Sequence, residues 1–138
     1  MTVLFSQARK YSIRALVEMA RHPEKSQWSV FNLAKDLGIP PPFLAKNFQL
    51  LAKSDILISM KGRQGGFSFA QPPDNISVIK VVEAIDGTEL IHQCTLGIPE
   101  CGDDNPCSFH FDWKRIRAEL VDVLSSKSIA QFAREIKQ

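Results

Sequence analysis

Residues 29–69, SVFNLAKDLGIPPPFLAKNFQLLAKSDILISMKGRQGGFSF, decide the fold. Ser29 is a helix-capping residue, Phe31, Leu33, Ala34 and Leu37 supply apolar positions, and Gly38 stands where a left-handed C-cap belongs. Ile39-Pro40-Pro41-Pro42 cannot continue that helix, but proline suits the first turn of a new one. The next helix is expected over about Pro42 to Lys53. Its Leu44, Phe48 and Leu51 recur at i, i+4 and i+7, an inward stripe that leaves Ala45, Lys46, Gln49 and Lys53 outside. Two short helices joined at a glycine make a helix-turn-helix. Many helical proteins contain such pairs, so the pair alone does not decide.

The residues that follow do. Ile56 to Met60 reads as a strand and Phe67-Ser68-Phe69 as its partner, with Lys61-Gly62-Arg63-Gln64-Gly65-Gly66 between them. Three glycines permit a tight tip with positive φ. Two cations on that tip are what a wing needs to reach phosphates or the minor groove. A tip that is basic only for solubility is the plainer alternative, and the preceding helix-turn-helix weakens it. In such a fold the second helix enters the major groove with its N-terminal residues at the base edges. The candidate DNA surface is therefore Pro41, Pro42, Phe43, Ala45, Lys46 and Gln49, with Arg9, Lys10 and Ser29 beside it and Lys61, Gly62, Arg63 and Gln64 on the wing.

Before this stretch, Ala8, Tyr11, Ala15, Leu16 and Met19 share one face of a helix expected over about Ser6 to Ala20, with Arg9 and Lys10 off that face. His22-Pro23 ends it, and His22 reads as a surface residue. After it, Gln71 to Asn75 is a linker. Ser77 should cap a helix carrying Val78, Val81, Val82 and Ile85, which Asp86-Gly87 stops. The tail has a longer amphipathic segment. Trp113, Ile116, Leu120, Val123 and Leu124 form its apolar stripe, and Lys114, Arg115, Arg117, Glu119 and Asp122 fill the other face. Arg115 and Glu119 are spaced to pair. With little chain left to cover it, the stripe should pack on its own domain or serve as a dimerisation face. Ser128 should cap a last helix with Ile129, Phe132 and Ile136 inward. The fold expected is mainly α, a winged helix-turn-helix with a two-stranded wing and a long C-terminal dimerisation helix. Residues 1–76 form the DNA-binding domain, and residues 77–138 carry the linking helix, a cysteine loop and the dimerisation helix.

That loop reads Cys94-TLGIPE-Cys101-GDDNP-Cys107-SF-His110 and holds all 3 cysteines. An odd count argues against a disulfide framework, and clustered cysteines point to metal or redox chemistry. Three thiolates and a histidine are a complete set for a [2Fe–2S] cluster, and equally for tetrahedral zinc. The bland reading is that Cys94 is packed and His110 lies on the surface; His92 is the next candidate ligand. Asp86, Glu89, Glu100, Asp103, Asp104 and Asp112 flank the loop without a basic residue between Lys80 and Lys114. Like charge raises thiol pKa values, so protonated, flexible cysteines are expected until a metal orders them.

The 138 residues, 44% hydrophobic and 23% charged, suit a globular domain with no membrane partner. No apolar run approaches the ~20 residues of a spanning helix, and the N-terminus lacks a secretory pattern, so a cytoplasmic protein is expected. The net charge of +2 hides an asymmetry: residues 1–63 carry ten Lys/Arg and four acids, residues 64–138 seven and eleven. A basic first half suggests a polyanion partner. A zinc- or cluster-binding metal-handling protein without a DNA role shares the loop but gives no reason for the wing. No Cys-x-x-Cys is present and no basic environment activates a cysteine, so an enzyme is not expected.

Tyr11-Ser-Ile-Arg-Ala-Leu, Lys61-Gly-Arg-Gln-Gly-Gly-Phe, Pro72-Pro73-Asp-Asn-Ile76-Ser and Val82-Glu-Ala-Ile-Asp-Gly87 occur in an order that resembles the bacterial winged-helix regulators that include IscR, NsrR and RirA. The resemblance covers nearly the whole chain. It implies a homodimer with crossed C-terminal helices, two winged helices on a palindromic operator of double-stranded DNA, and an iron–sulfur cluster as sensor of iron or cluster supply, redox state or nitric oxide. It implies a transcriptional regulator, read here as a repressor, with [2Fe–2S] favoured and [4Fe–4S] the alternative. Members that use an acidic ligand near the N-terminus carry it where this chain has Lys10, which cannot ligate as a cation. The IscR branch resembles this chain in placing a histidine three positions after the third cysteine, as Cys107 and His110 do. Its first cysteine spacing is five residues rather than the six between Cys94 and Cys101, on which RirA-like members are closer. Where IscR-like proteins carry a glutamate that can accept a hydrogen bond from cytosine, this chain has Ala45, so its operator preference should differ.

Overall fold

The computed structural model describes residues 6–61, 66–88, 94 and 96–135. Among them are six α-helices: α1 (Gln7–Ala20), α2 (Val30–Leu37), α3 (Pro41–Lys53), α4 (Val78–Asp86), α5 (His110–Ser126) and α6 (Ile129–Glu135). The hairpin strands are β1 (Leu57–Met60) and β2 (Gly66–Phe69), and a 3-10 turn covers Pro73–Asn75. The capping residues set the helix starts. Ser6 Oγ accepts from Arg9 N, Ser29 Oγ from Asn32 N and Ser128 Oγ from Gln131 N, each satisfying one backbone donor that has no partner inside its helix. Gly38 closes α2 in the left-handed region at φ 70°. Helix α3 begins at Pro41, one residue before the expected start. Ser77 holds the N-cap position of α4 but makes no side-chain cap bond. Its backbone segment pairs instead with the chain before α6, through Val78 N to Lys127 O at 2.9 Å and Ile129 N to Ile76 O at 2.9 Å.

The hairpin is antiparallel, with Leu57 opposite Phe69 and Met60 opposite Gly66. A third backbone segment joins it: Trp28 N donates to Phe67 O at 2.8 Å and Phe67 N to Trp28 O at 2.9 Å. This pairing ties the wing to the residue just before the α2 cap. Gly66 makes the approach feasible, because a Cβ there would lie 2.4 Å from Trp28 O.

Leu16, Met19, Leu44, Phe48, Leu51, Ile56, Ile76, Val81, Val82 and Ile129 are almost wholly excluded from solvent. Burying a side chain of this size contributes about 1.5–3 kcal/mol. Leu44, Phe48 and Leu51 are the stripe expected on α3, and Phe48 meets Phe67 of the wing edge-on at 5.2 Å. One core cluster runs across the boundary expected after residue 76, since Ile76, Val82, Leu124 and Ile129 lie in it with Leu16 and Phe48. Helix α6 packs back on α1.

Two further details differ from expectation. Leu124, assigned to the dimerisation stripe, is 8% exposed and belongs to this core, and Leu120 packs partly against it. The C-terminal end of α5 turns its apolar side into its own fold because α4 lies there. Arg115 pairs with Asp112 at 3.6 Å rather than with Glu119. Ile136 and His92 lie outside the described residues.

Candidate metal centre and nucleic-acid interface

The loop between α4 and α5 gathers its cysteines by local turns. Gly97, at φ 71°, returns its N–H to Cys94 O at 2.9 Å, and Cys101 N reaches Ile98 O at 3.2 Å. Gly102 and Asn105 pair through both backbone groups, and His110 N bonds Cys107 O at 3.1 Å. Each spacer thus folds back on itself. The three Sγ atoms end within 4.8 Å of one another, with Cys94 and Cys107 at 3.6 Å. Thiolates on one tetrahedral ion, with a metal–sulfur bond of about 2.3 Å, stand about 3.8 Å apart. The triad is therefore spaced as ligands, which three merely packed cysteines need not be.

Backbone donors bear on the sulfurs. Cys94 is lowered to about 7 by the N–H groups of Ile98 and then Leu96, the latter 3.4 Å from its Sγ. This runs against the expectation that flanking acids hold every thiol protonated: at Cys94 the nearby backbone N–H groups favour the thiolate. At Cys101 the Cys107 N–H, 3.4 Å away, works to lower the thiol, but desolvation and the neighbouring Cys107 and Cys94 prevail and raise it.

His110 opens α5 and is mostly covered, with its side chain 13% exposed. Its Nε2 lies 2.7 Å from Asp103 Oδ1. A carboxylate only accepts, so Nε2 is the nitrogen that donates to Asp103, and in the neutral ring the lone pair is then on Nδ1. That Nδ1 is 3.3 Å from Cys101 Sγ. A histidine held by a carboxylate through one nitrogen while the other faces a ligand set is the usual outer-shell arrangement of metal sites. His110 borders the sulfur triad but does not join it within 4.8 Å of all three sulfurs. Lys114 Nζ, at 2.9 Å, clamps the other Asp103 oxygen, and His110 first and Lys114 second hold the Asp103 carboxyl below its usual range. Asp103 was read in the sequence only as one of several flanking acids. A carboxylate near a candidate histidine was the available signal.

Helix α3 turns Pro42, Phe43, Lys46 and Gln49 outward, with Pro41 and Ala45 half-buried. Lys10 and Lys61 are exposed and Ser29 is half-buried. Gly62, Arg63 and Gln64 lie outside the described residues. Arg9 is corrected: it is 5% exposed, with Nε 2.6 Å from Asp86 Oδ2, and Ser6 Oγ donates to the same carboxylate at 2.9 Å. Helix α4 packs on α1 and covers the position that the apolar pattern left outside. Asn47, on the inner side of α3, was missed. It is buried and its Nδ2 donates to Ala8 O at 3.2 Å, tying the α3 helix to the start of α1. On α5, Ile116 and Val123 are 49% and 54% exposed, while Trp113 is half-buried. Leu96, Phe109, Trp113 and Ile116 line one apolar depression beside the cysteine loop.

Among the described residues no helix is long and apolar enough to cross a membrane. The family model Rrf2, described as "Iron-dependent Transcriptional regulator", matches residues 5–135. A chain of Aquifex aeolicus named as an HTH-type transcriptional regulator is 32% identical over 129 residues, covering 92% of this chain and 89% of that one. The HTH-type transcriptional regulator IscR of Vibrio vulnificus is 24% identical over 122 residues, covering 88% and 72%. Two solved structures share the fold. CymR of B. subtilis superposes with a TM-score of 0.79 at 19% identity, covering 99% of this chain and 100% of that one. T. potens IscR does so with 0.76 at 20% identity, covering 100% and 95%. These relatives are regulators of transcription and not enzymes. With helix-turn-helix, wing and cysteine loop all inside the matched span, the chain belongs to the Rrf2 family of winged-helix transcriptional regulators, which bind DNA.

Proposed function

We propose that this regulator is a cytoplasmic homodimer, acting as a repressor on a palindromic operator, whose affinity is set by an iron–sulfur cluster held by Cys94, Cys101 and Cys107 with His110 as fourth ligand. The observation that carries the reading is the gathering of three sulfurs within 4.8 Å by the loop's own turns. The donor set suits the group: three thiols, two of them with a backbone N–H aimed at sulfur, and an imidazole already oriented by Asp103. When bound, the cluster supplies a one-electron couple and a centre open to oxidants or nitric oxide; [2Fe–2S] is the nuclearity proposed and [4Fe–4S] the alternative.

The chain's own residues supply the coupling. The loop enters from α4, whose Asp86 grips Arg9 and Ser6 at the start of α1. It leaves into α5, whose exposed Ile116 and Val123, with Trp113, would meet a second copy. Ordering the loop therefore fixes both the DNA-reading segment, residues 1–76, and the dimerising segment, residues 77–138, and with them the spacing of two half-sites. The DNA surface proposed is Lys10, Ser29, Pro41, Pro42, Phe43, Ala45, Lys46 and Gln49 with wing residues Lys61, Gly62, Arg63 and Gln64.

The sulfur spacing is that of thiolates on one tetrahedral ion, so a single zinc ion is the second reading, and iron and sulfide analysis separates the two. Anaerobic reconstitution followed by Mössbauer and visible absorption spectroscopy should yield a cluster in the parent chain and none in Cys101→Ala. A Cys101→Ala protein that assembles the cluster normally defeats the ligand assignment.

A further inference from the structure

The N-terminal turn of α3 offers DNA an unusual surface. Pro41 and Pro42 have no N–H, and the N–H groups of Phe43 and Leu44 both go to Pro40 O at 3.1 Å. None of these four backbone positions has a donor left for a phosphate or a base, although the start of a helix normally provides several. What projects is apolar. Phe43 is 39% exposed and its ring is held edge-on against Tyr11 at 5.4 Å and 88°. Ala45, two residues on, is half-buried on the other flank of the outward face, and Gln49, one turn beyond Ala45, lies exposed on Ala45's side. From Pro41 to Lys53 the helix carries no arginine and no acid; its cations are Lys46 and Lys53.

In the major groove, guanine is read mainly by arginine or lysine and cytosine by a carboxylate. Adenine pairs with glutamine or asparagine, and the thymine methyl takes apolar contacts such as phenylalanine or alanine. We propose that α3 reads its half-site chiefly through thymine methyl groups, contacted by Phe43 and Ala45, and through adenine, contacted by Gln49. Phe43 is the specificity-determining residue, preset by Tyr11 and by the prolines before it. Lys46 serves the phosphates or a flanking guanine. The inference rests on the reading that α3 enters the major groove, and it adds which bases are recognised there.

The test begins with duplexes selected from a random pool by the full-length protein. Each thymine of the selected half-site is then replaced in turn by deoxyuridine, which keeps every hydrogen-bonding group and removes only the methyl. Anisotropy should show binding weakened about fourfold at one or two positions, the equivalent of one buried methyl. Phe43→Ala should abolish the methyl effect at one of them while leaving the salt dependence of binding unchanged. Gln49→Ala, which leaves the apolar contacts in place, should remove the penalty for 7-deazaadenine at an adenine position. Uracil duplexes bound as tightly as thymine duplexes throughout, or a methyl effect untouched by Phe43→Ala, overturn the inference while DNA binding itself survives. Failure of the parent protein to bind any duplex at low salt overturns the underlying reading instead.

Discussion

Gly66→Ala is the change that most directly tests how the wing is mounted. A methyl at this position would stand 2.4 Å from Trp28 O, 3.0 Å from Trp28 C and 3.6 Å from Ser29 N, all backbone atoms. No flexible side chain can yield, so β2 must leave the Trp28 segment. That breaks the two backbone hydrogen bonds between Trp28 and Phe67, at 2.8 and 2.9 Å, each contributing about 0.5–1.5 kcal/mol. It also opens the packing around Trp28 and Phe67, which are 8% and 7% exposed, and alanine strains at the Gly66 φ of 157°. Together these amount to about 3 kcal/mol, or a Tm lower by roughly 10 °C for a domain of this size. Urea and thermal melts followed by far-UV circular dichroism measure it. Gly102→Ala is the control, because nothing lies within 4 Å of a Cβ at that glycine. A Gly66→Ala protein within about 0.5 kcal/mol of the parent would refute the packing argument.

Other outcomes follow from the same geometry. Asp86→Ala takes a charge partner from the buried Arg9 guanidinium and should destabilise the fold by about 2–3 kcal/mol, less than for a wholly buried pair because the Asp86 side chain is 27% exposed; a loss under about 0.5 kcal/mol would show the pair to be incidental. In reduced, chelator-treated protein, iodoacetamide should label Cys94 with a midpoint near the value of about 7 to which its backbone donors lower it, and Cys101 with a higher one. Labelling that rises identically for both thiols would reject the assigned role of those donors. The Asp103 carboxyl is depressed by His110 and Lys114, so its contact with His110 holds at neutral pH and is lost as pH falls through the depressed value. Asp103→Asn should weaken zinc binding in chelator competition about 10- to 100-fold at pH 7, and a change under about twofold would mean that His110 needs no orienting.

The sequence exposed what depends on neighbours along the chain and hid what depends on partners far from it. Ser29, Gly38 and the stripe of Leu44, Phe48 and Leu51 are local signals, and α2 and α3 formed where they pointed. The cysteine spacing likewise marked the loop, because turns such as those at Gly97 and Gly102 close within a few residues. Arg9 was misplaced because its cover comes from Asp86, 77 residues away. Periodicity gives the faces of a helix but not what will lie on each. Asn47 went unnoticed for the same reason, since its partner Ala8 O is 39 residues distant. Helix α5 shows the limit most plainly. Its one apolar stripe serves two surfaces, Leu124 turned into the core and Ile116 and Val123 turned out. Asp103 lay inside the stretch read for metal, yet its acceptor role depends on a turn that brings it back to His110.

The central claim is that DNA affinity depends on what the cysteine loop holds. The most direct measurement is anisotropy of a selected operator duplex at fixed salt under anaerobic conditions, on one protein preparation before and after cluster assembly, with iron and sulfide determined on the same samples. The account predicts that Kd changes about 5- to 150-fold with occupancy, and that Cys101→Ala stays at the unloaded value. A Kd constant within about twofold while the iron content rises from none to full would contradict it.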